Sequence, residues 1–148
     1  MAITTSTGPG LGLRTNEAAA DHASQARRLL HFAYVLAPTV AGLDKFFHLL
    51  GDWTNYLAPQ VERMLPMSGG AVMRIVGVIE IAAGLLVAAR PRIGAYVVAA
   101  WLVGIIPNLV LQGRYLDVAL RDVGLFFGAL ALGRLSAAEE ARTVVVRR

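Results

Sequence analysis

Between Ala71 and Leu111 the chain reads AVMRIVGVIEIAAGLLVAA, then Arg90-Pro91-Arg92, then IGAYVVAAWLVGIIPNLVL. Each apolar run approaches the ~20 residues that cross ~30 Å of hydrocarbon at about 1.5 Å per helical residue. A soluble domain of 148 residues would break its apolar content into short amphipathic segments. Composition agrees with the run lengths. Mean hydropathy is +0.57, and 16% of residues are charged, against about 25% in an ordinary soluble domain.

Two further runs complete the pattern. One follows Arg27-Arg28 as LLHFAYVLAPTVAGLDKFFHLL; the other occupies roughly Val118 to Gly133. The fold expected is all-α, an integral membrane four-helix bundle with spans at about 29–50, 71–89, 93–111 and 118–133 inside a membrane domain of residues 25–136. Pro38 should kink the first span. Residues 1–24, rich in Ala, Thr, Gly and Ser, read as a mobile cytoplasmic tail without an apolar signal-peptide core, and residues 137–148 as a second tail. The stretch GDWTNYLAPQVERMLPMSGG is too broken by Pro59, Pro66 and glycines to span, and its Trp53 and Tyr56 suit a short interfacial segment on the outer face between spans one and two.

Orientation follows from counting Lys and Arg in the flanks. Arg14, Arg27, Arg28, Arg90, Arg92, Arg134, Arg142, Arg147 and Arg148 fall on one side; Arg63, Arg74, Arg114 and Arg121 fall on the other. The imbalance predicts both termini in the cytoplasm of a bacterial cell, with the chain in the inner membrane. Small residues recur at packing intervals, Gly77 with Gly84, Ala95 with Ala99 and Gly124 with Gly128, which predicts close helix approach.

Several functions lose support at this stage. The net charge of +4 resides in span-flanking arginines rather than in a basic, aromatic-interleaved stripe, so the chain is not read as binding nucleic acid. The cysteine count of zero removes disulfides and thiolate metal sites. No nucleotide fingerprint or catalytic triad order appears, no catalytic residue is assigned, and no metal site is expected because Asp44, His48 and Glu80 offer a single imidazole. His31 reads as an interfacial residue, and no histidine pair supports bis-histidine haem ligation.

The residues that call for explanation are the polar ones inside the spans, the ionisable among them each costing roughly 2.5–3.5 kcal/mol on insertion scales. Asp44, Lys45 and His48 lie in span one, Arg74 and Glu80 in span two, Asn108 and Gln112 at the end of span three, Arg121 and Asp122 at the start of span four. Glu80 is the deepest, roughly 15 Å below the outer end of its helix, so it is protonated or paired. Lys45 is its expected partner, unless the lysine stem snorkels outward. Arg74 is disfavoured, because six residues place it about 120° away around the same helix. Two readings stay open. The groups form an interhelical ion network that sets helix register, or Asp44, Lys45, His48, Glu80, Asn108 and Arg121 line an outer-leaflet polar pocket for a quinone headgroup, a bound lipid or a shuttled proton.

The segments AGLDKFFHLL, WTNYLAP, GVIEIAAGLLVA and LALGRLS together resemble the DoxX-like family of small four-helix bacterial membrane proteins. The likeness covers roughly Arg28 to Ser136, with Gly42 and Lys45 at the end of span one and Gly77, Glu80, Gly84 and Leu85 in span two carrying most of it. The resemblance implies a subunit linked to quinol oxidation or another membrane redox complex, with Lys45 and Glu80 as signature positions. The expected function is an accessory membrane subunit of a larger respiratory or photosynthetic electron-transfer complex, near quinone or lipid and without its own redox centre. The alternatives are a quinone-reactive oxidoreductase subunit and a small oligomeric transporter or channel. Expected partners are the lipid bilayer and a larger membrane complex.

Overall fold

The structure, a computed structural model, describes residues 9–146. Among the described residues it is all-helical: α1 (Pro9–Phe47), a 3₁₀ turn (Trp53–Tyr56), α2 (Pro59–Met64), α3 (Gly69–Ala89), α4 (Pro91–Gln112) and α5 (Leu116–Val146). Two helices, α3 and α4, are long and apolar enough to cross a membrane. At 21 and 22 residues each is roughly 30 Å long. Asp44 and Lys45 interrupt the apolar run of α1, and Arg121 and Asp122 that of α5.

The helix ends follow local chemistry. Ser68 caps α3, accepting from the Ala71 N–H. Pro91 opens α4 at a position where its missing N–H loses nothing within that helix. Gly113, with φ of 74°, closes α4 in the left-handed conformation that glycine adopts without a Cβ penalty. At the end of α1 the same left-handed position is held by His48, at φ of 55°, one of the side chains that tolerates it best.

Helix boundaries differ from the expected spans mainly at one end. Residues 9–24 and 137–146, assigned above to tails, continue α1 and α5 as helix; residues 1–8 and Arg147 and Arg148 lie outside the described residues. The C-terminal extension is held to α1 by a hydrogen bond of 3.1 Å from an Arg27 guanidinium nitrogen to Glu139, and to α4 through Arg92 and Glu140 at 3.1 Å. The N-terminal part of α1, the α3–α4 turn and the C-terminal part of α5 therefore share one end of the molecule. Helix α1 runs through Pro38 and ends at Phe47, short of the expected Leu50.

In the packing, α1 lies chiefly along α3 and α4 along α5, with α3–α4 and α1–α5 contacts closing the ring. The α1–α3 crossing requires glycine. A Cβ on Gly42 would lie 2.6 Å from the Gly77 carbonyl oxygen, and one on Gly77 would lie 2.7 Å from that of Gly42. Below the crossing the core is made of Tyr34, Ala83, Val87, Ala95, Val98, Ala99, Leu102, Ala129 and Leu132, small and branched residues that admit close helix approach. Gly124 departs from the expected packing role, since a Cβ added there would meet nothing within 4 Å.

The outside is the reverse of a soluble protein's. Leu29 and Phe32 on α1, Val78 and Leu85 on α3, Val103 and Val110 on α4, and Leu120 and Phe127 on α5 are all exposed by half or more, while Asp44, Lys45, Glu80 and Asp122 are buried.

Candidate functional site

Polar side chains from four helices meet inside this apolar shell. On α1, Asp44 and Lys45 are sequence neighbours and so diverge by about 100° around the helix. Asp44 turns toward the chain that follows it, accepting from the N–H of Leu49 at 2.8 Å, the N–H of Leu50 at 3.0 Å and the indole N–H of Trp53 at 2.7 Å. It thereby satisfies backbone donors that the end of α1 would otherwise strand.

Lys45 turns inward. Its ammonium donates to a Glu80 carboxylate oxygen on α3 at 2.5 Å, with side chains only 4% and 11% exposed, and to the Ala41 carbonyl at 3.4 Å. The expected pair of Lys45 with Glu80 is present. The same ammonium stands 3.9 Å from the centroid of the Trp53 ring, within cation–π range. Trp53 therefore ties both charges of α1 together, one through its N–H and one through its face.

Beyond Glu80 the belt continues to α4 and α5. The Trp101 side chain faces the Glu80 carboxylate, and Asp122 lies near enough to act on its charge. The buried Trp101 Nε1–H is directed at that carboxylate, outside normal hydrogen-bond geometry. Asp122 is buried but accepts at 3.0 Å from Arg121, whose side chain is 66% exposed. Arg121 thus reaches back to neutralise a carboxylate from the surface, as a long cationic stem does at an apolar boundary.

The remaining expected pocket residues have other tasks. His48 is exposed and holds the left-handed turn. Asn108 receives the Ala58 N–H at 3.0 Å and donates to the Tyr56 carbonyl at 2.7 Å, pinning the segment between α1 and α3 onto α4. That segment is anchored further by Leu57 against Val72 and Met73, with Ala58 fully buried. Asp52 caps its 3₁₀ turn, accepting from Thr54 Oγ1 at 2.6 Å and from the Thr54 N–H at 3.0 Å. These two bonds hold the Asp52 carboxyl below the usual carboxylate range.

The structure therefore joins Asp44, Lys45 and Glu80 around Trp53, sets Arg121 on the neighbouring Asp122, and gives His48 and Asn108 to separate contacts. Trp101 and Asp122 belong to the belt, although the expected pocket omits them. Each carries a signal in the sequence: a tryptophan near the middle of an apolar run rather than at its interface, and a carboxylate opening another run. Among the described residues no group of three or more His, Asp or Glu side chains is placed to hold a metal ion. Comparison with protein-family models, with curated proteins and with solved structures gives no match to this chain.

Proposed function

We propose that this chain is a four-span integral membrane protein of the bacterial inner membrane, DoxX-like in pattern, that serves as an accessory subunit of a larger electron-transfer complex. The observation that carries the membrane reading is the inverted distribution of side chains. Large apolar residues cover the outside of α1, α3, α4 and α5, while carboxylates and a lysine are enclosed. Buried ionic groups and an apolar exterior suit a lipid solvent. In this reading α1 and α5 cross with α3 and α4, the α3–α4 turn and both termini are cytoplasmic, and the segment with Trp53 and Tyr56 lies at the outer interface. The concentration of Lys and Arg on the terminal side supports that orientation.

The accessory role is supported by how the polar groups are used. Lys45 is occupied by Glu80, Asp44 by Trp53 and two backbone N–H groups, Asp122 by Arg121, and Asn108 by the outer segment. This is the economy of a scaffold whose ionic groups fix helix register. It favours the structural reading over a six-residue quinone pocket.

The test is to isolate a tagged chain in mild detergent, identify its companions by mass spectrometry and record an absorption spectrum. Stoichiometric larger membrane subunits with a haem, flavin or pigment spectrum are expected. A lone, colourless oligomer overturns the accessory role. Alkaline phosphatase fused to either terminus is expected to be inactive, and an active fusion overturns the orientation.

A further inference from the structure

At the end of the molecule that carries the α3–α4 turn, α1, α4 and α5 border a cavity of about 390 Å³, within the size range of small-molecule sites. Arg27 from α1, Pro91 from α4, and Ser136, Glu139 and Glu140 from α5 line it. Its depth follows from helix length. Arg27 stands about 20 residues before the end of α1, Pro91 about 20 before the end of α4, and Ser136 about 20 after the start of α5. Each helix independently puts the wall roughly 30 Å from the outer end, one hydrocarbon thickness away. In the membrane-spanning reading, on which the inference rests, that is the headgroup layer of the inner leaflet.

Donors outnumber their partners here. The Glu139 carboxylate meets Arg27 at Nε and one Nη, which leaves the other Nη for a second acceptor. Ser136 is 3% exposed, and its Oγ has no partner among the described residues. Helix α4 starts at Pro91 without a side-chain cap, so its first-turn N–H groups and the positive end of its dipole are open to an anion. Around the mouth Arg90, Arg134 and Arg142 are exposed and without an ion pair among the described residues, whereas Glu139 and Glu140 are already held by Arg27 and Arg92.

We infer that this cavity binds the headgroup of an anionic, hydroxyl-bearing phospholipid of the inner leaflet, its phosphate diester accepting from Arg27, Ser136 and the start of α4 and its hydroxyls donating to Glu139 and Glu140. Charge sets the class. The unpaired arginines favour a lipid of net negative charge, and the two lining carboxylates require donors beside the phosphate. Phosphatidylglycerol supplies both; phosphatidylcholine supplies neither, and phosphatidylethanolamine leaves the charge of the mouth uncompensated.

The full chain is first incorporated into phosphatidylcholine vesicles. Resistance to carbonate extraction is expected; release as a soluble chain overturns both the membrane reading and this inference. In mild detergent, dioleoyl phosphatidylglycerol, phosphatidylethanolamine and phosphatidylcholine are then titrated separately, and bound lipid is counted by native mass spectrometry. Phosphatidylglycerol is expected to bind about ten-fold more tightly than either of the others, the value of one charge-assisted hydrogen bond. Arg27→Gln should remove most of that preference. Because it also takes the partner of Glu139, Ser136→Ala, which alters no charge, is the second variant and should weaken phosphatidylglycerol binding by about five-fold. Arg28→Gln, next to Arg27 in α1 but outside the lining, removes the same charge and should leave the preference intact. Equal affinity for the three lipids, a preference unchanged in both Arg27→Gln and Ser136→Ala, or one lost as fully in Arg28→Gln as in Arg27→Gln overturns the inference alone. Soluble glycerol 3-phosphate competing at the lipid's own concentration overturns the lipid as the source.

Discussion

The imidazole Nε2 of His31 on α1 lies 3.0 Å from the carbonyl oxygen of Val87 in the last turn of α3. Four residues after Val87 stands Pro91, which has no N–H to give. The fully buried Val87 therefore has a carbonyl that the helix itself cannot serve, and His31 donates to it from the neighbouring helix. His31→Leu is expected to lower stability in detergent by about 1–3 kcal/mol, the range for stranding a buried polar group. His31→Gln, which keeps a donor of similar reach, should retain most of that. Equal loss in both variants would show that ring packing, not the hydrogen bond, is what matters.

The Lys45–Glu80 pair gives a second expectation. Replacing Glu80 with Gln, or Lys45 with Met, leaves a buried charge without its partner, a loss of about 3–5 kcal/mol. The double variant should lose less than the sum of the two by about 0.5–3 kcal/mol. Unfolding in mixed micelles measures this cycle, and strictly additive losses would exclude an energetic coupling between the two.

Close approach of α1 and α3 can be tested at its tightest point. Gly42→Ala and Gly77→Ala each drive a methyl into the facing backbone carbonyl and should cost about 1–3 kcal/mol through helix displacement. Gly104→Ala meets nothing within 4 Å and should be neutral, or stabilising by up to about 1 kcal/mol from helix propensity. Thermal stability of the three variants, compared in one detergent, decides it.

The segment between α1 and α3 should respond to acid through Asp52. Its carboxyl is held below the ordinary range by the Thr54 hydroxyl and N–H. A depressed folded-state pKa stabilises above the unfolded value, about 3.9, and that contribution disappears as pH falls through the folded value. Limited proteolysis between Gly51 and Ser68 should be flat from neutrality down to about pH 5 and increase below about pH 4. Asp52→Asn, which does not titrate, should lessen that increase; an unchanged acid response in this variant would assign it to another carboxyl.

Much of this molecule could be read along one dimension. Helical class and the two apolar helices α3 and α4 follow from run length, because a helix satisfies its own backbone and its length is its residue count. The Arg90-Pro91-Arg92 turn follows from proline, and the partnership of Lys45 with Glu80 from the cost of leaving Glu80 alone at that depth. The sequence suggests an interfacial place for Trp53 by residue type, but not its grip on both Asp44 and Lys45, since nothing in spacing tells which way a loop folds back over a helix end.

What only the tertiary structure decided are the partnerships between residues far apart in sequence. Asn108 reads as an intramembrane polar group and is a clamp on the segment between α1 and α3; His48 reads as a pocket-lining residue and closes a helix at positive φ. The segments 9–24 and 137–146 read as tails because each alone lacks an apolar face to bury, and they continue α1 and α5 as helix, with Glu139 of the second segment held by Arg27 of α1. The physical reason is common to Asn108 and to Glu139. A hydrogen-bonding group is fixed by the nearest unsatisfied partner in space, and sequence order sets that partner only within one helix turn, whereas here the partners sit one helix over.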